Sequence, residues 1–224
     1  MIKRLLCTAA LLAFAASTFA ASSAKPAKLS DKPSGAEIAF VQSIQTDLMA
    51  RFPKALDAEK AGYIRYTDED STGAISYANL QWLSADARHP SQLWYDVNGN
   101  LLGADFSQPI LKMPSKPPHL WGVDQRRWVD FRAHVHYILK NPDGTEKYGG
   151  MGMKKFVAAG GSATDPQIAT IVKMGIAKDA TQVMRTFLFP HEWDLIVWVK
   201  ANPNGAFAEK NPLVIPSAGA VKEM

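Results

Sequence analysis

The chain has 224 residues, of which 47% are hydrophobic and 21% are charged, and its formal net charge is +4. Its one cysteine, Cys7, excludes a fold built on disulfide bridges, so the protein needs a hydrophobic core of its own. The weak positive charge has none of the clustering found in nucleic-acid-binding proteins, and a nucleic-acid partner is not expected.

The first 20 residues have the three parts of a secretory signal peptide. Lys3 and Arg4 form a basic start, residues 5–16 are apolar, and small residues at Thr18 and Ala20 suit cleavage after Ala20. The apolar run of about 12 residues is too short to span a membrane, which takes about 20. The sequence therefore predicts export, with the mature protein in the periplasm or outside the cell.

Cleavage after Ala20 would change the composition of what remains. Cys7, Lys3 and Arg4 leave with the signal peptide, so the mature chain has no cysteine and a net charge of +2. Residues 21–34 are small, polar and proline-bearing, which is typical of a flexible leader. We predict one domain over residues 35–216, a loose tail over 217–224, and no membrane span.

Two helices are predicted at the start of the domain. Ser34 and Glu37 have the spacing of a capping box, and apolar residues then recur at helical spacing as far as Phe52. Pro53 is suited to the first turn of a second, short helix that ends at Gly62. Both helices are interpreted as parts of the core.

The rest of the chain is typical of strands and turns. Asn98-Gly99 indicates a tight hairpin, and residues 141–144 (Asn-Pro-Asp-Gly) indicate a second turn. Two further helices are predicted over 165–174 and 179–187. The predicted strands are 63–67, 74–82, 93–97, 101–106, 128–140 and 195–200. The expected fold class is α+β, an antiparallel sheet, flat or strongly curved, with two or three helices packed on it.

The strand over 128–140 has an unusual polar face. Its odd-numbered residues from Val129 to Leu139 are apolar and predict a core face, because successive side chains of a strand alternate. The opposite face carries four polar side chains: Asp130, Arg132, His134 and His136. We expect this second face either to meet solvent, with Asp130 and Arg132 as a surface ion pair, or to line a polar pocket.

The turn at 141–144 fixes what lies opposite the histidines. A type I turn with a glycine bulge pairs Lys140 with Glu146, His136 with Gly150 and His134 with Gly152. This register leaves room above both imidazoles, as a ligand would require. It also sends the methionines at 151 and 153 to the apolar face, which favours a core position over a copper site.

The His134-x-His136 spacing suits a divalent transition metal, because two imidazoles on one strand face can share one ion. It resembles the first motif of the cupin barrels over three residues, but no glutamate follows, so we do not infer a cupin. A third ligand would come from His119 or His191. The carboxylates that could add to the site are Asp130, Glu192 and Asp194. Arg132, placed beside the histidines, favours an anionic ligand instead.

Two other sequence patterns indicate candidate sites. Residues 68–79 resemble an EF-hand calcium loop, but Asn79 stands where the bidentate glutamate is needed. Calcium is therefore not favoured, and a polar turn between two strands is predicted. Trp121 and Trp193 each follow a Pro-His pair, which suggests either an aromatic-walled site or ordinary core positions.

Three functions remain open. The first is an exported, non-catalytic protein that binds a small ligand, with an anion favoured, in a polar-aromatic pocket. That pocket would be formed by Asp130, Arg132, His134, His136, Trp121 and Trp193. The second is a metal-dependent enzyme that uses His134 and His136 with His119 or His191. The third is a structural or assembly protein of the cell envelope. A homo-oligomer is compatible with the sequence.

Overall fold

The computed structural model describes residues 32–221. The predicted signal peptide and most of the predicted leader lie outside these residues. The described helices are α1 (Gly35–Arg51), α2 (Ala55–Lys60), α3 (Met153–Ala158) and α4 (Ile168–Lys173). The described strands are β1 (Ile64–Arg65), β2 (Ile75–Ala78), β3 (Gln92–Tyr95), β4 (Leu101–Pro109), β5 (Val129–Phe131), β6 (His134–Lys140), β7 (Glu146–Gly152), β8 (Val183–Phe189) and β9 (Glu192–Trp198).

The strands form two open antiparallel sheets rather than one. The large sheet has the order β1-β2-β3-β4-β9-β5, and the small sheet has the order β7-β6-β8. The predicted α+β class with an antiparallel sheet and packed helices is thus confirmed. Within residues 32–221, none of the helices has the length and apolar character needed to cross a membrane.

Helix α1 begins at the predicted capping box and covers one face of the large sheet, here called the helix face. The Ser34 hydroxyl accepts a hydrogen bond from the Glu37 N–H at 3.1 Å, and the Glu37 carboxylate accepts one from the Ser34 N–H at 2.7 Å. The apolar stripe of α1 then packs on residues of β4 and β9. This core includes Phe40, Ile44, Leu48, Phe106, Leu195 and Val197.

The opposite face of the large sheet, here called the inner face, is covered by two different segments. At one end, Val214 packs on Trp94, Leu102 and Trp198. The chain is held there because the Glu69 carboxylate accepts a hydrogen bond from the Ser217 N–H at 2.7 Å. Part of the predicted tail, as far as residue 221, is therefore attached to the domain. At the other end, the small sheet packs on the inner face.

The small sheet belongs to one continuous segment, residues 134–189, here called the insert. The insert lies between β5 and β9, which pair with each other in the large sheet. It has a core of its own, formed by Val135, Leu139, Met151, Phe156, Ile171, Ala177 and Val183. Its contact with the large sheet is mainly aromatic, with Phe187 and Phe189 packed on Tyr66 and Ala78.

Several local predictions are confirmed by backbone geometry. The hairpin of β3 and β4 turns at Gly99, whose φ of 70° is left-handed, and the second helix is followed by Gly62 with a φ of 87°. The acidic segment after β1 is a polar turn, because the Asp70 carboxylate accepts hydrogen bonds from the N–H groups of Thr72 and Ala74.

Other local predictions are wrong. The strand expected over 128–140 is two strands, because the chain crosses from the large sheet to the small one at residues 132–133. Val129 and Phe131, expected in the core, are 49% and 47% exposed on the edge strand β5. Of the helix expected over 179–187, only residues 180–182 are helical, as one 3₁₀ turn, and the rest belongs to strand β8, whose pairing with β6 overrides local preference. Helix α3 was not foreseen, and α4 begins at residue 168 rather than 165.

Candidate functional site

The predicted register of the histidine hairpin is confirmed. His134 pairs with Gly152, His136 with Gly150 and Lys140 with Glu146. Met151 lies in the core of the insert, as predicted from that register. The turn type alone was enough to place these residues, because a hairpin loop fixes the pairing of both strands.

His134 and His136 lie between the two sheets, whereas Asp130 and Arg132, predicted on the same face, are exposed. His136 is 4% exposed, and its ring stacks on Phe187 at 5.4 Å and meets the edge of Tyr66 at 4.7 Å. His134 stacks on Phe189 at a centroid distance of 5.1 Å. The two imidazoles are themselves 4.9 Å apart. Both histidines therefore form part of the aromatic contact between the insert and the inner face.

Burial favours the neutral forms of both imidazoles. It lowers the pKa of His136 to about 3, with a further contribution from the neighbouring His134 ring, and it also lowers the pKa of His134. Nδ1 of His134 lies 2.9 Å from the Arg132 carbonyl oxygen. Nδ1 of His136 is buried and has no hydrogen-bond partner.

The other predicted histidine and carboxylate ligands lie apart from this pair. Nε2 of His191 is 2.6 Å from the Asp130 carboxylate, and the two form an ion pair when His191 is protonated. His119 lines a cleft beside Glu37 at the start of α1. Among residues 32–221, no group of three or more histidine, cysteine or acidic side chains is arranged to hold a metal ion.

The two tryptophans do not meet the histidines either. Trp121 stacks on Phe40 at 5.1 Å and belongs to the core under α1, on the helix face of the large sheet. Trp193 packs against the same core, and its indole N–H donates to the Ser115 hydroxyl at 3.1 Å. The two rings therefore lie on the far side of the large sheet from His134 and His136. Their core interpretation is the better one.

No protein-family model, curated protein or solved structure matches this chain. The function therefore has to be inferred from the geometry of the described residues.

An open cleft lies beside the two histidines, at the next position on the same face of β6. Ile138 follows His136 on that face of β6 and pairs with Tyr148 on one side and Arg185 on the other. These three side chains form one wall of a cleft of about 430 Å³ between the insert and the large sheet. The remaining lining residues are Glu59, Tyr63, Ile64, Arg65, Tyr77, Glu146 and Met184.

Most charged groups in the cleft already have partners. The Arg65 guanidinium lies over the Tyr148 ring at 4.7 Å and donates to the Thr67 carbonyl at 2.9 Å. The Glu146 carboxylate accepts a hydrogen bond from the Tyr148 hydroxyl. Arg185 is exposed, and no hydrogen bond or ion pair of its side chain is found with another described residue.

A second polar group lies deeper, on the inner face of the large sheet. Asp105, Glu192 and Asp194, here called the carboxyl cluster, are 5%, 0% and 6% exposed. They stand on the neighbouring strands β4 and β9. The Trp94 indole N–H donates to Asp105 at 3.0 Å and the Ser107 hydroxyl to Asp194 at 3.1 Å. Both carboxylate oxygens of Glu192 and one of Asp105 are buried without a hydrogen-bond partner.

Burial and mutual repulsion favour the protonated forms of these acids. Burial, with the neighbouring Asp194, raises the pKa of Glu192 to about 8. The same causes raise the pKa of Asp105 well above its usual range, and burial raises the pKa of Asp194. No lysine or arginine in the described part of the chain forms an ion pair with any of the three.

Sequence reasoning recognised only part of this cluster. Glu192 and Asp194 are among the predicted metal ligands, whereas Asp105 is not. The usable signal was that Asp105 interrupts the apolar run from Leu101 to Phe106, where a carboxylate is unusual.

Proposed function

We propose that this chain is an exported, non-catalytic protein that binds a small organic anion in the cleft between the insert and the large sheet. The observation that carries the proposal is Arg185, an exposed arginine in the cleft without a partner among the described residues. A guanidinium offers two parallel N–H donors to a carboxylate. Ile138, Tyr148 and Met184 beside it offer apolar and aromatic surface to the body of the ligand.

This proposal keeps the predicted class of function and moves the site. The pocket was expected around Arg132, His134 and His136, but a ligand could reach His136 only by displacing Phe187 and Tyr66. The proposed cleft is lined instead by Ile138, the next residue on the same face of β6. Arg185 takes the role that the sequence assigned to Arg132.

The two other functions have less support. A metal-dependent enzyme would need a third ligand beside His134 and His136, and the described residues contain no such group. No described contact favours an assembly function over ligand binding. Ligand binding is therefore the function that the geometry supports best.

A pair of chemically matched probes tests the proposal. Backbone amide signals are followed by NMR during titration with benzoate and, separately, with benzamide, which has the same ring and no charge. We expect benzoate to shift the signals of residues around Ile138, Tyr148 and Arg185, and to bind more tightly than benzamide. The variant Arg185→Gln should weaken benzoate binding about tenfold or more, since a hydrogen bond to a charged group is lost.

The variant Arg132→Gln is the matched control. It removes an exposed arginine from the predicted histidine site and leaves the cleft unchanged, so benzoate affinity should stay as in the parent protein. If benzoate affinity falls in Arg132→Gln but not in Arg185→Gln, the ligand binds beside His134 and His136, and the proposed site in the cleft is wrong. Equal affinity for benzoate and benzamide would contradict anion recognition.

A further inference from the structure

The carboxyl cluster has no role in the cleft and is expensive to bury. Three acids on adjacent strands are at most 6% exposed, and Glu192 is without a partner for either oxygen. Three like charges in a site of low dielectric constant repel one another strongly, so the cluster needs a positive charge. A metal ion would need a suitable set of ligands, which the described residues do not provide. Protons are the positive charge that fits.

The described side chains around the carboxyl cluster supply no positive charge that could balance its negative charge. On the large sheet, Gln92, Trp94 and Ser107 are neutral, as are Val129 and Phe131 of the edge strand β5. Tyr66, whose hydroxyl hydrogen-bonds Gln92, is held neutral by burial, which raises its pKa. From the insert, β6 contributes the neutral His134 and His136, and β8 contributes Phe187 and Phe189. A proton that leaves the cluster is therefore not replaced by any cation among the neighbours within residues 32–221.

We infer that the carboxyl cluster is a proton-operated latch that keeps the insert closed on the large sheet. The contact it controls is the aromatic one, in which Phe187 and Phe189 lie on Tyr66 and Ala78. While the acids carry protons, this interface is uncharged and stays closed. When they lose protons, buried negative charge accumulates beneath it, and separation of the two surfaces lets water reach the carboxylates.

The topology allows such a movement. The insert has its own core, so it stays folded when it leaves the inner face. It joins the large sheet through two short segments, 132–133 and 190–191, which flank the paired strands β5 and β9. Both connections lie at the same end of the insert, next to Glu192. This arrangement suits a hinge.

A single buried thiol tests the latch. Cys7 is the only cysteine of the chain, so Ala78→Cys in a Cys7→Ser background places one thiol at a fully buried position of the interface. Its labelling rate is compared with that of Ser84→Cys, an exposed position, to remove the effect of thiol ionisation. We expect the ratio of the two rates to rise between pH 6 and pH 8, about tenfold per pH unit for each proton released, and to level off above pH 8, where Glu192 is ionised in the closed form as well.

The variant Glu192→Gln identifies the source of these protons. It should lower the slope of that ratio by about one power of ten per pH unit, while Glu209→Gln, at an exposed glutamate, should not change it. A ratio that does not vary with pH, or a slope unaffected by Glu192→Gln, would overturn the latch.

A measurement on the wild-type chain avoids the risk that a variant fails to fold. Carbon-13 NMR of the side-chain carboxyls in the wild-type chain should show Asp105, Glu192 and Asp194 protonated at pH 6. Carboxyls already ionised at pH 6, or a stoichiometric metal retained after purification, would overturn the inference in favour of a bound cation.

Discussion

Replacing His136 by phenylalanine should change how the stability of the protein depends on pH. The imidazole lies between aromatic rings, stacked on Phe187 and edge-on to Tyr66, so another aromatic ring suits the site. Its Nδ1 has no hydrogen-bond partner to lose, although the contact of the ring with the Gly149 backbone would be lost. The substitution therefore removes a titrating group while it keeps most of the packing.

The magnitude follows from the pKa of His136, which is about 3 in the folded protein against an ordinary value of 6.5. A histidine with a lowered pKa contributes stability that is present above pH 6.5 and is lost as the pH falls towards 3, because the unfolded chain then binds the extra proton. Each pH unit in that window changes the free energy of unfolding by about 1.4 kcal/mol. At pH 4.5 the wild-type protein should have lost about 2.7 kcal/mol through this residue.

Glu192 acts in the opposite direction over part of the same range. Its pKa of about 8 lies above the ordinary 4.5, so its contribution is fully present below pH 4.5 and is lost as the pH rises to 8. Asp105 and Asp194, whose pKa values are also raised, act in the same direction as Glu192. His134, whose pKa is lowered, acts in the same direction as His136. In His136→Phe the opposing slope from His136 is removed, so the stability of the variant relative to wild type should increase as the pH falls.

Urea unfolding at pH 7.5, 6.0 and 4.5 measures this effect. The difference in unfolding free energy between His136→Phe and wild type should grow in favour of the variant by about 2.7 kcal/mol from pH 7.5 to pH 4.5. His119→Phe makes the same change at an exposed position and should show no such growth. A difference that is constant over the three pH values would refute the reasoning, because His136 would then titrate alike in both states.

The remaining predictions concern packing and export. Gly161→Ala should destabilise the insert by about 1 to 3 kcal/mol in urea unfolding, because the new Cβ would overlap the ring of Phe156, which is fully buried. Gly35→Ala, where no atom lies within 4 Å of the new Cβ, is the control and should be neutral, so equal losses in both variants would contradict this explanation. For export, mass spectrometry of the protein from the periplasm or the medium should find a chain that starts at residue 21. A full-length chain retained in the cytoplasm would contradict the signal peptide.

The elements that the sequence predicted well depend on neighbours in the chain. The capping box of α1 lies within four residues, and the β3–β4 turn depends on Asn98-Gly99. The β6–β7 register follows from the turn at 141–144 in the same way. Such signals act through local backbone geometry, and no distant contact is needed to read them.

The candidate site depends on contacts between distant parts of the chain, and for that reason the sequence located it only in part. Alternation along 128–140 was read as one strand, because nothing in the local pattern marks the crossing from one sheet to the other at residues 132–133. His136 is buried because Tyr66, about 70 residues earlier, and Phe187, about 50 residues later, close over it. Asp105 and Asp194 become neighbours only through the pairing of β4 with β9. A polar residue in a strand has the same local pattern whether its face meets water or another sheet, so its chemistry is decided by the packing of the insert, which the local sequence does not encode.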